Sequence, residues 1–241
     1  KSDEDLTKIF TDILNKNVNV IIKCRSNLDY TKVKEKVKIE KYTTLCLFSG
    51  GVDSFIGLME SSKKYSNLSG VFIAHSDQAG VINIVYNINK LLKRLGVNLN
   101  TVCAPSIRPK KNKHGYSQLR GFLYVLCTGA LSELTDANKI IITECGATMY
   151  QPKFGMFDSI THTTHPFIMD VAKKSIDYFR NKKISFITPF EDMTKAEIIA
   201  YSEFNQYLPE THSCISARFR DHCGICYGCV LRRLGAIMAE V

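Results

Sequence analysis

No apolar run in this sequence approaches the ~18 residues a membrane-spanning helix needs, and nothing in it resembles a signal peptide. A membrane protein and a membrane partner are therefore not expected. Internal repeats and low-complexity tracts are absent, which leaves no sign of a repeat architecture. The pattern GxxxxGK followed by Ser or Thr occurs nowhere, which argues against γ-phosphoryl transfer, and no Ser-His-Asp arrangement suggests a hydrolase triad. What is there is globular: 241 residues, 45% hydrophobic and 23% charged, enough for one substantial core with a smaller appendage. The first residue is Lys1, so a trimmed or processed chain is expected. Nine cysteines without a secretory signal point to a reducing, cytoplasmic compartment. The net charge of +9 suits a nucleotide, nucleic acid or anionic substrate. Many lysines, however, lie in the first forty residues or in short runs such as Lys110, Lys111 and Lys113, the ordinary composition of a solvated surface.

The chain is organised around Tyr42 to Glu60, YTTLCLFSGGVDSFIGLME. A β-forming run, Thr43 to Phe48, meets Gly50 and Gly51, and the chain resumes with Phe55, Leu58 and Met59 at helical spacing, so the stretch predicts strand, tight turn and helix. Glycines let consecutive N–H groups point into one concavity, and the new helix brings its positive end to the same spot. The turn is thus suited to an anion. Ser49 and Ser54 add hydroxyl donors, and Asp53 suits a loop brace or a metal ion that travels with a phosphate. An ordinary strand-to-helix turn is the plain alternative. SGGVDS after LCLF resembles the pyrophosphate loop of the PP-loop ATPases, which cleave ATP between its α and β phosphates.

Ahead of that stretch, Leu6, Ile9, Phe10, Ile13 and Leu14 predict an amphipathic helix and Val18 to Cys24 a strand. Val33, Val37 and Ile39 alternate with Lys32, Lys34, Lys36 and Lys38, as in an edge strand or a charged helix. Residues 1–40 are expected to form an extension of helix plus strands, and 41–241 the main domain. From Tyr42 on, apolar strands alternate with helical stretches, which predicts an α/β fold: an open parallel sheet with helices on both faces. Strands are expected at 70–76, 97–103, 139–144 and 184–190, and helices at 81–95, at 117–134 and from Pro166. A basic loop is expected at 105–115 and an irregular stretch at 145–164. Thr194 and Glu197 stand in capping-box spacing at a further helix start. Ligands in such sheets sit beyond the C-terminal strand ends, where Ser49, His75, Glu144 and Pro189 fall.

Cys214, Cys223, Cys226 and Cys229 stand as C-x8-C-x2-C-x2-C. Four thiolates at this spacing can close around one tetrahedral Zn²⁺ with no open position, a structural role. An iron–sulfur cluster competes, because C-x2-C-x2-C also opens the bacterial ferredoxin pattern, but the following Cys-Pro is missing. Spacing favours zinc. Arg218, Arg220, His222, Arg232 and Arg233 crowd the cluster, to offset its charge or to face an ATP phosphate. The other five cysteines, Cys24, Cys46, Cys103, Cys127 and Cys145, sit in apolar segments and read as inert buried thiols.

Four features stand in one order: SGGVDS, then VFIAHSDQ ending at Gln78, ITPFEDMTKAEI from Ile187 to Ile198, and HSC through HCGICYGCVLRR from His212 to Arg233. Together they resemble the 7-cyano-7-deazaguanine synthase (QueC) family over most of 43–239. That family adenylates 7-carboxy-7-deazaguanine, adds ammonia and dehydrates the amide to a nitrile with a second ATP. The resemblance implies a PP-loop fold with ATP, Mg²⁺ and Zn²⁺. It implies Ser49, Asp53 and Lys195 as catalytic residues, with Phe48, Gly50, Gly51, Val52, Ser54, His75 and Arg120 joining them around ATP. The four clustered cysteines would be the zinc ligands, and Glu144, Thr164 and His165 would meet the substrate. Two departures stand out. Gly121 follows Arg120 where the family has asparagine, and 144–167 lacks the family's Ser-Gly-Tyr-Pro-Asp-like segment that holds the deazaguanine. The nitrile product is thereby left without its matching residues. The THTTHP run at 161–166 and the extension look more like QueC-like proteins of anti-phage systems, of the Qat and type IV CBASS kinds.

The expected activity is an ATP-dependent carbon–nitrogen ligase taking a small deazapurine acid, with ammonia or a protein amine as acceptor. A homo-oligomer is expected, and a nucleic-acid partner is not. The rival readings are the nitrile synthase of queuosine biosynthesis, a tRNA-modifying thiolase of the PP-loop kind, and a zinc-stabilised binding module without turnover. His162 and His165 suggest a second metal, but with no matching carboxylates the simpler reading is loop histidines.

Overall fold

The computed structural model describes residues 40–75, 79–104, 116–150, 164–180, 182–214 and 222–241. The chain divides into residues 1–40 and a second unit, Lys41–Val241, which holds the sheet and the candidate site. The expected N-terminal helix and strands, Gln78, the basic loop, His162, Arg218 and Arg220 lie outside the described residues.

Strands β1 (Thr44–Leu47), β2 (Leu68–His75), β3 (Asn98–Ala104), β4 (Lys139–Ile141) and β5 (Ser185–Ile187) form one parallel sheet in the order β3-β2-β1-β4-β5. Cys46 lies opposite Gly70 on one side and Ile141 on the other. Between the strands run α1 (Val52–Lys64), α2 (Ala79–Arg94), α3 (Tyr116–Thr135), α4 (Gly146–Tyr150) and α5 (Pro166–Arg180). After the sheet come α6 (Lys195–Tyr201), a 3-10 turn (Asn205–Glu210) and α7 (Tyr227–Met238).

Successive strand residues point to opposite faces, and here both faces are covered. Leu45, Val71, Ile73, Ile140 and Ile142 pack with Val125 of α3 and Met169, Ala172 and Ile176 of α5. Cys46, Phe72, Ala74 and Ile141 pack the other way, with Phe55 and Leu58 of α1, Ile88 and Leu92 of α2, and Ile198 and Ile199 of α6. Phe55 and Leu58 are fully buried, each stabilising the fold by about 2–3 kcal/mol relative to exposure. The expected open α/β sheet is therefore present. The chain steps outward from β1 through β2 to β3, then returns to lay β4 on the other side of β1. That reversal falls between β1 and β4, whose C-terminal ends are where ligands bind in sheets of this kind.

Both β4 and β5 are shorter than the apolar runs suggest. The ladder ends at Ile141 and Ile187, although the Ile142 N–H still donates to the Ile187 carbonyl at 2.9 Å. Beyond β5 the Thr188 hydroxyl donates to Glu191 at 2.7 Å and the Met193 N–H to Phe190 O at 3.1 Å, turning the chain toward α6. The expected irregular stretch after Cys145 instead opens with α4. Its first N–H, on Gly146, meets the carbonyls of Phe190 (3.1 Å) and Met193 (3.0 Å), and a Cβ there would stand 2.4 Å from the Glu191 carbonyl oxygen. Tertiary contact, invisible in the local pattern, starts this helix. The capping box forms as expected: the Glu197 N–H donates to Thr194 Oγ1 at 3.2 Å, and the Thr194 N–H to the Glu197 carboxylate at 2.7 Å.

Helix α1 lies directly on the segment that follows β4 at Gly57, where a Cβ would lie 2.2 Å from Thr143 Cγ2 and 2.5 Å from Thr143 Cβ. Gly57→Ala should lower unfolding free energy by about 2–3 kcal/mol through overpacking, measured by urea titration. A loss within 0.5 kcal/mol, on the order of an ordinary surface change, would mean that the helix backs away freely.

Candidate active site

The turn after β1 is built from backbone. The Phe48 N–H donates to Val71 O at 2.9 Å, which holds the strand end, and Gly50 then takes φ +85°, a left-handed conformation that favours glycine. Gly51 caps α1 in an extended conformation, and no side chain caps the helix. The first N–H groups of α1 therefore keep their donor capacity, at the positive end of a 13-residue helix. Ser54 braces the turn: it accepts from the Ser49 N–H at 3.2 Å, donates to Gly51 O at 3.0 Å and lies 3.1 Å from Ser49 Oγ. Ser49 is exposed, while Phe48 and Val52 are buried in the core and serve as the floor of the turn.

Asp53, in the first turn of α1, forms an ion pair with Lys195, the first residue of α6, and both side chains are nearly buried. Burial pulls the Lys195 ammonium down, but the Asp53 carboxylate, then Cys145 and Glu144, more than compensate and hold it above its ordinary value. Glu144 follows the C-terminal end of β4. Although the residue keeps some exposed surface, the protein encloses its carboxyl. That burial, reinforced by the Asp53 charge and opposed by Lys195 and Arg120, pushes the carboxyl up from 4.5 to about 7. The neighbouring Cys145 thiol is raised by burial and then by Asp53, and lies 3.2 Å from Thr148 Oγ1. Strand β4, α1 and α6 thus bring Glu144, Asp53 and Lys195 within electrostatic reach of one another, with Arg120 of α3 acting on Glu144 from an exposed position.

A carboxyl whose folded pKa exceeds its unfolded one binds more protons folded than unfolded, so its contribution to stability falls as pH rises from about 4.5 to 7. Glu144→Gln should therefore stabilise the protein at pH 8 by up to about 3 kcal/mol and leave it unchanged at pH 4. Urea titrations across that range test this, and parallel pH profiles for the two proteins would contradict it.

The remaining expected site residues are more scattered. His75 ends β2 with its backbone paired in register to Ala104, and its side chain lies outside the described groups. Thr164 and His165 precede α5. His165 Nδ1 accepts from the Phe167 N–H at 3.2 Å, and its ring meets Tyr150 edge-on at 5.7 Å. Tyr150 in turn donates to Glu191 at 2.8 Å, so this flank is tied to the turn after β5.

One contact of the turn was not anticipated. The His212 N–H donates to Gly50 O at 2.7 Å, and a Cβ on Gly51 would come within 3.7 Å of His212 O and 4.0 Å of Ser213 Oγ. The stretch before Cys214 therefore lies against the glycines. Arg232, expected to offset cysteine charge or meet phosphate, lies within electrostatic reach of Cys229 and also donates to the carbonyls of Leu208 and Thr211, the latter at 3.1 Å, and to Thr211 Oγ1 at 2.5 Å. It fastens α7 to the 3-10 turn.

The Sγ atoms of Cys214, Cys223, Cys226 and Cys229 all lie within 4.8 Å of one another and could hold a metal ion. Two pairs, Cys223 with Cys229 and Cys214 with Cys226, stand at 3.9 Å. The fold prepares these thiolates. Gly224 takes φ +77° to turn the chain between two ligands, and the N–H groups of Cys226 and Cys223 point at the sulfurs of Cys223 (3.4 Å) and Cys214 (3.5 Å).

A family model described as "Queuosine biosynthesis protein QueC" matches residues 100–240. That span includes Arg120, Glu144, Lys195 and the four cysteines; the glycine turn precedes it. No curated protein matches the chain. Among solved structures, the U34-tRNA thiolase NcsA from Methanococcus maripaludis with its [4Fe-4S] cluster is 14% identical at a TM-score of 0.49, covering 98% of this chain and 79% of that one. The NMN synthetase from Francisella tularensis is 12% identical at 0.35, covering 74% and 90%. Likenesses this distant carry no weight for chemistry. Among the described residues, no helix is long and apolar enough to cross a membrane.

Proposed function

The chain belongs to the QueC family, and from that premise we propose that it is an ATP-dependent ligase: it adenylates the carboxylate of 7-carboxy-7-deazaguanine or a close analogue and passes the acyl group to an amine. The supporting observation is the uncapped N-terminus of α1 behind Gly50 and Gly51, with the Asp53–Lys195 pair and Glu144 gathered at the same strand ends.

A carboxylate resists amines because its leaving group would be oxide; attack on the α-phosphorus of ATP converts it to an acyl phosphate with AMP as the leaving group. The bond from the α-phosphorus to its bridging oxygen breaks as the bond to the carboxylate oxygen forms, and pyrophosphate departs. In this reading the N–H groups of the Ser49–Ser54 turn receive that pyrophosphate and stabilise the charge that develops on it. Lys195 supplies a cation held in place by Asp53, and Asp53 is also the carboxylate of the turn able to meet Mg²⁺. Mg²⁺ bound with the phosphates would neutralise part of their charge. Arg120, His75, Thr164 and His165 complete the proposed nucleotide and substrate contacts. The amine then attacks the acyl carbon and AMP leaves.

For the metal, zinc is favoured. A Zn–S bond of about 2.3 Å places tetrahedral sulfurs about 3.8 Å apart, and the two close sulfur pairs stand at 3.9 Å. An iron–sulfur cluster interposes its own atoms and needs a wider cage. A thiolase reading needs a reactive cysteine pair outside this set, yet burial raises the Cys127 and Cys145 thiols, the reverse of what that chemistry requires. An anti-phage setting is proposed on the sequence resemblance of the 161–166 run and the extension. The test is incubation with 7-carboxy-7-deazaguanine, ATP, Mg²⁺ and ammonia. AMP and an amide-sized product are expected, whereas ADP, or no nucleotide turnover with any deazapurine acid, would defeat the proposal.

A further inference from the structure

Helix α7 carries a glycine in its interior, Gly235, where alanine would ordinarily favour the helix by about 1 kcal/mol. The residue is buried, and its surroundings explain the choice: a Cβ there would meet Lys195 Cγ at 3.0 Å, Lys195 Cβ at 3.3 Å and Ile199 Cδ1 at 3.3 Å. The obstacle is the root of the lysine, close to its own backbone, so it cannot simply swing away. Gly235 is the place where α7 lies against the stem that carries the ammonium to Asp53.

The same helix is fixed at its other end. Cys226 is its N-cap and Cys229 sits in its first turn, both in the four-cysteine set. One turn on, Arg232 grips Leu208 and Thr211, and the residue after Thr211, His212, donates to Gly50 O. Cys229, Arg232 and Gly235 follow one another at i, i+3 and i+6, a path that winds through about 120° of the helix surface with each neighbouring pair on a shared face. The cysteine set and the arginine thus fix how far α7 can slide and turn, and Gly235 passes that position to Lys195.

We propose that Gly235 is a positioning residue for Lys195: α7, clamped through its cysteines, presents a side-chain-free surface that seats the Lys195 stem, so that the ammonium stands where ATP phosphates arrive. This rests on the ATP-site reading of Lys195 given above. Any side chain at 235 should displace the lysine and weaken ATP binding without touching ATP itself.

The experiment is a double-mutant cycle on ATP affinity, measured by calorimetry with Mg²⁺ on the metal-loaded protein. The reference background is Asp53→Asn with Lys195→Ala, which removes the pair together and strands neither charge. Gly235→Leu should weaken ATP binding at least tenfold in the wild-type background and less than twofold in the pair-deleted one. Gly235→Ala, which adds one methyl and keeps the fold safe, should show the same pattern at about threefold. Circular dichroism and metal content establish that each variant is folded and loaded. Equal losses in both backgrounds, or no loss for either variant in the wild-type background, would overturn the proposal. The ATP-site reading is tested separately by the reference itself: it fails if deleting the Asp53–Lys195 pair leaves ATP affinity unchanged.

Discussion

Lys195→Ala is expected to lower the rate of AMP formation by about a thousandfold and to destabilise the fold at the same time. The rate effect follows from the lysine's task, since a single fixed donor aimed at developing charge is worth about 10²–10³ in rate, and a full cation in a nearly buried site reaches the upper end. The stability effect follows from the pairing. Lys195 and Asp53 have side chains only 13% and 10% exposed. Removing the cation leaves the carboxylate enclosed beside Glu144, at a cost of about 3–5 kcal/mol. The two effects separate in a second variant. Asp53→Asn combined with Lys195→Met should recover most of the stability and none of the activity, because the pair is replaced by neutral groups of similar size. Chemical denaturation and an AMP assay on the same preparations read both. A single variant that keeps its stability, or a double variant that regains turnover, would contradict the assigned role.

Stripping the metal is expected to have the second large effect. Of the four cysteines Cys214 and Cys229 are buried, but Cys223 is exposed, and Ile225 between the ligands is 87% exposed. Without an ion, the described part of this segment keeps weak N–H to sulfur bonds, one bond from the Ser213 N–H to His222 Nε2 at 3.3 Å and the stacked His212 and His222 rings. Metal-bound thiolates contribute folding free energy directly. Cys229→Ser, or a strong chelator, should therefore lower stability by on the order of 5 kcal/mol and the melting temperature by about 10 °C or more. Because α7 and Thr211–His212 also support Lys195 and Gly50, ATP affinity should fall with the metal. By linkage, ATP should in turn raise the affinity for the metal, so that more chelator is needed to remove half of it at equilibrium. Elemental analysis should find one zinc per chain. Iron with sulfide, or an unchanged melting curve after chelation, would contradict this.

Much of the fold was legible because its strands are buried on both faces and read as unbroken apolar runs: Thr43–Phe48 and Lys139–Glu144 both announce themselves this way. Gly50 and Gly51 marked the turn, and Thr194 with Glu197 marked the start of α6, because caps and turns depend on a few local residues. What stayed hidden depends on contacts made across the chain. Nothing near Cys145 predicts α4, whose first N–H is satisfied by Phe190 and Met193 some 45 residues later. The pairing of Asp53 with Lys195 spans 142 positions, and motif spacing alone marked each residue without joining them. Arg232 was visible as a charge near the cysteines, but its carbonyl partners exist only once the 3-10 turn at Asn205–Glu210 has formed. Gly235 gave no signal at all, since a lone glycine in a helical run has many explanations until the lysine stem is seen against it.

The most direct test of the central claim follows oxygen. With 7-carboxy-7-deazaguanine labelled with ¹⁸O in its carboxylate, attack by that carboxylate on the α-phosphorus must leave one labelled oxygen on AMP once the amine has displaced it. Mass spectrometry of the nucleotide pool should show AMP heavier by one ¹⁸O and unlabelled pyrophosphate. Unlabelled AMP, or label in inorganic phosphate alongside ADP, would contradict adenylation by this site.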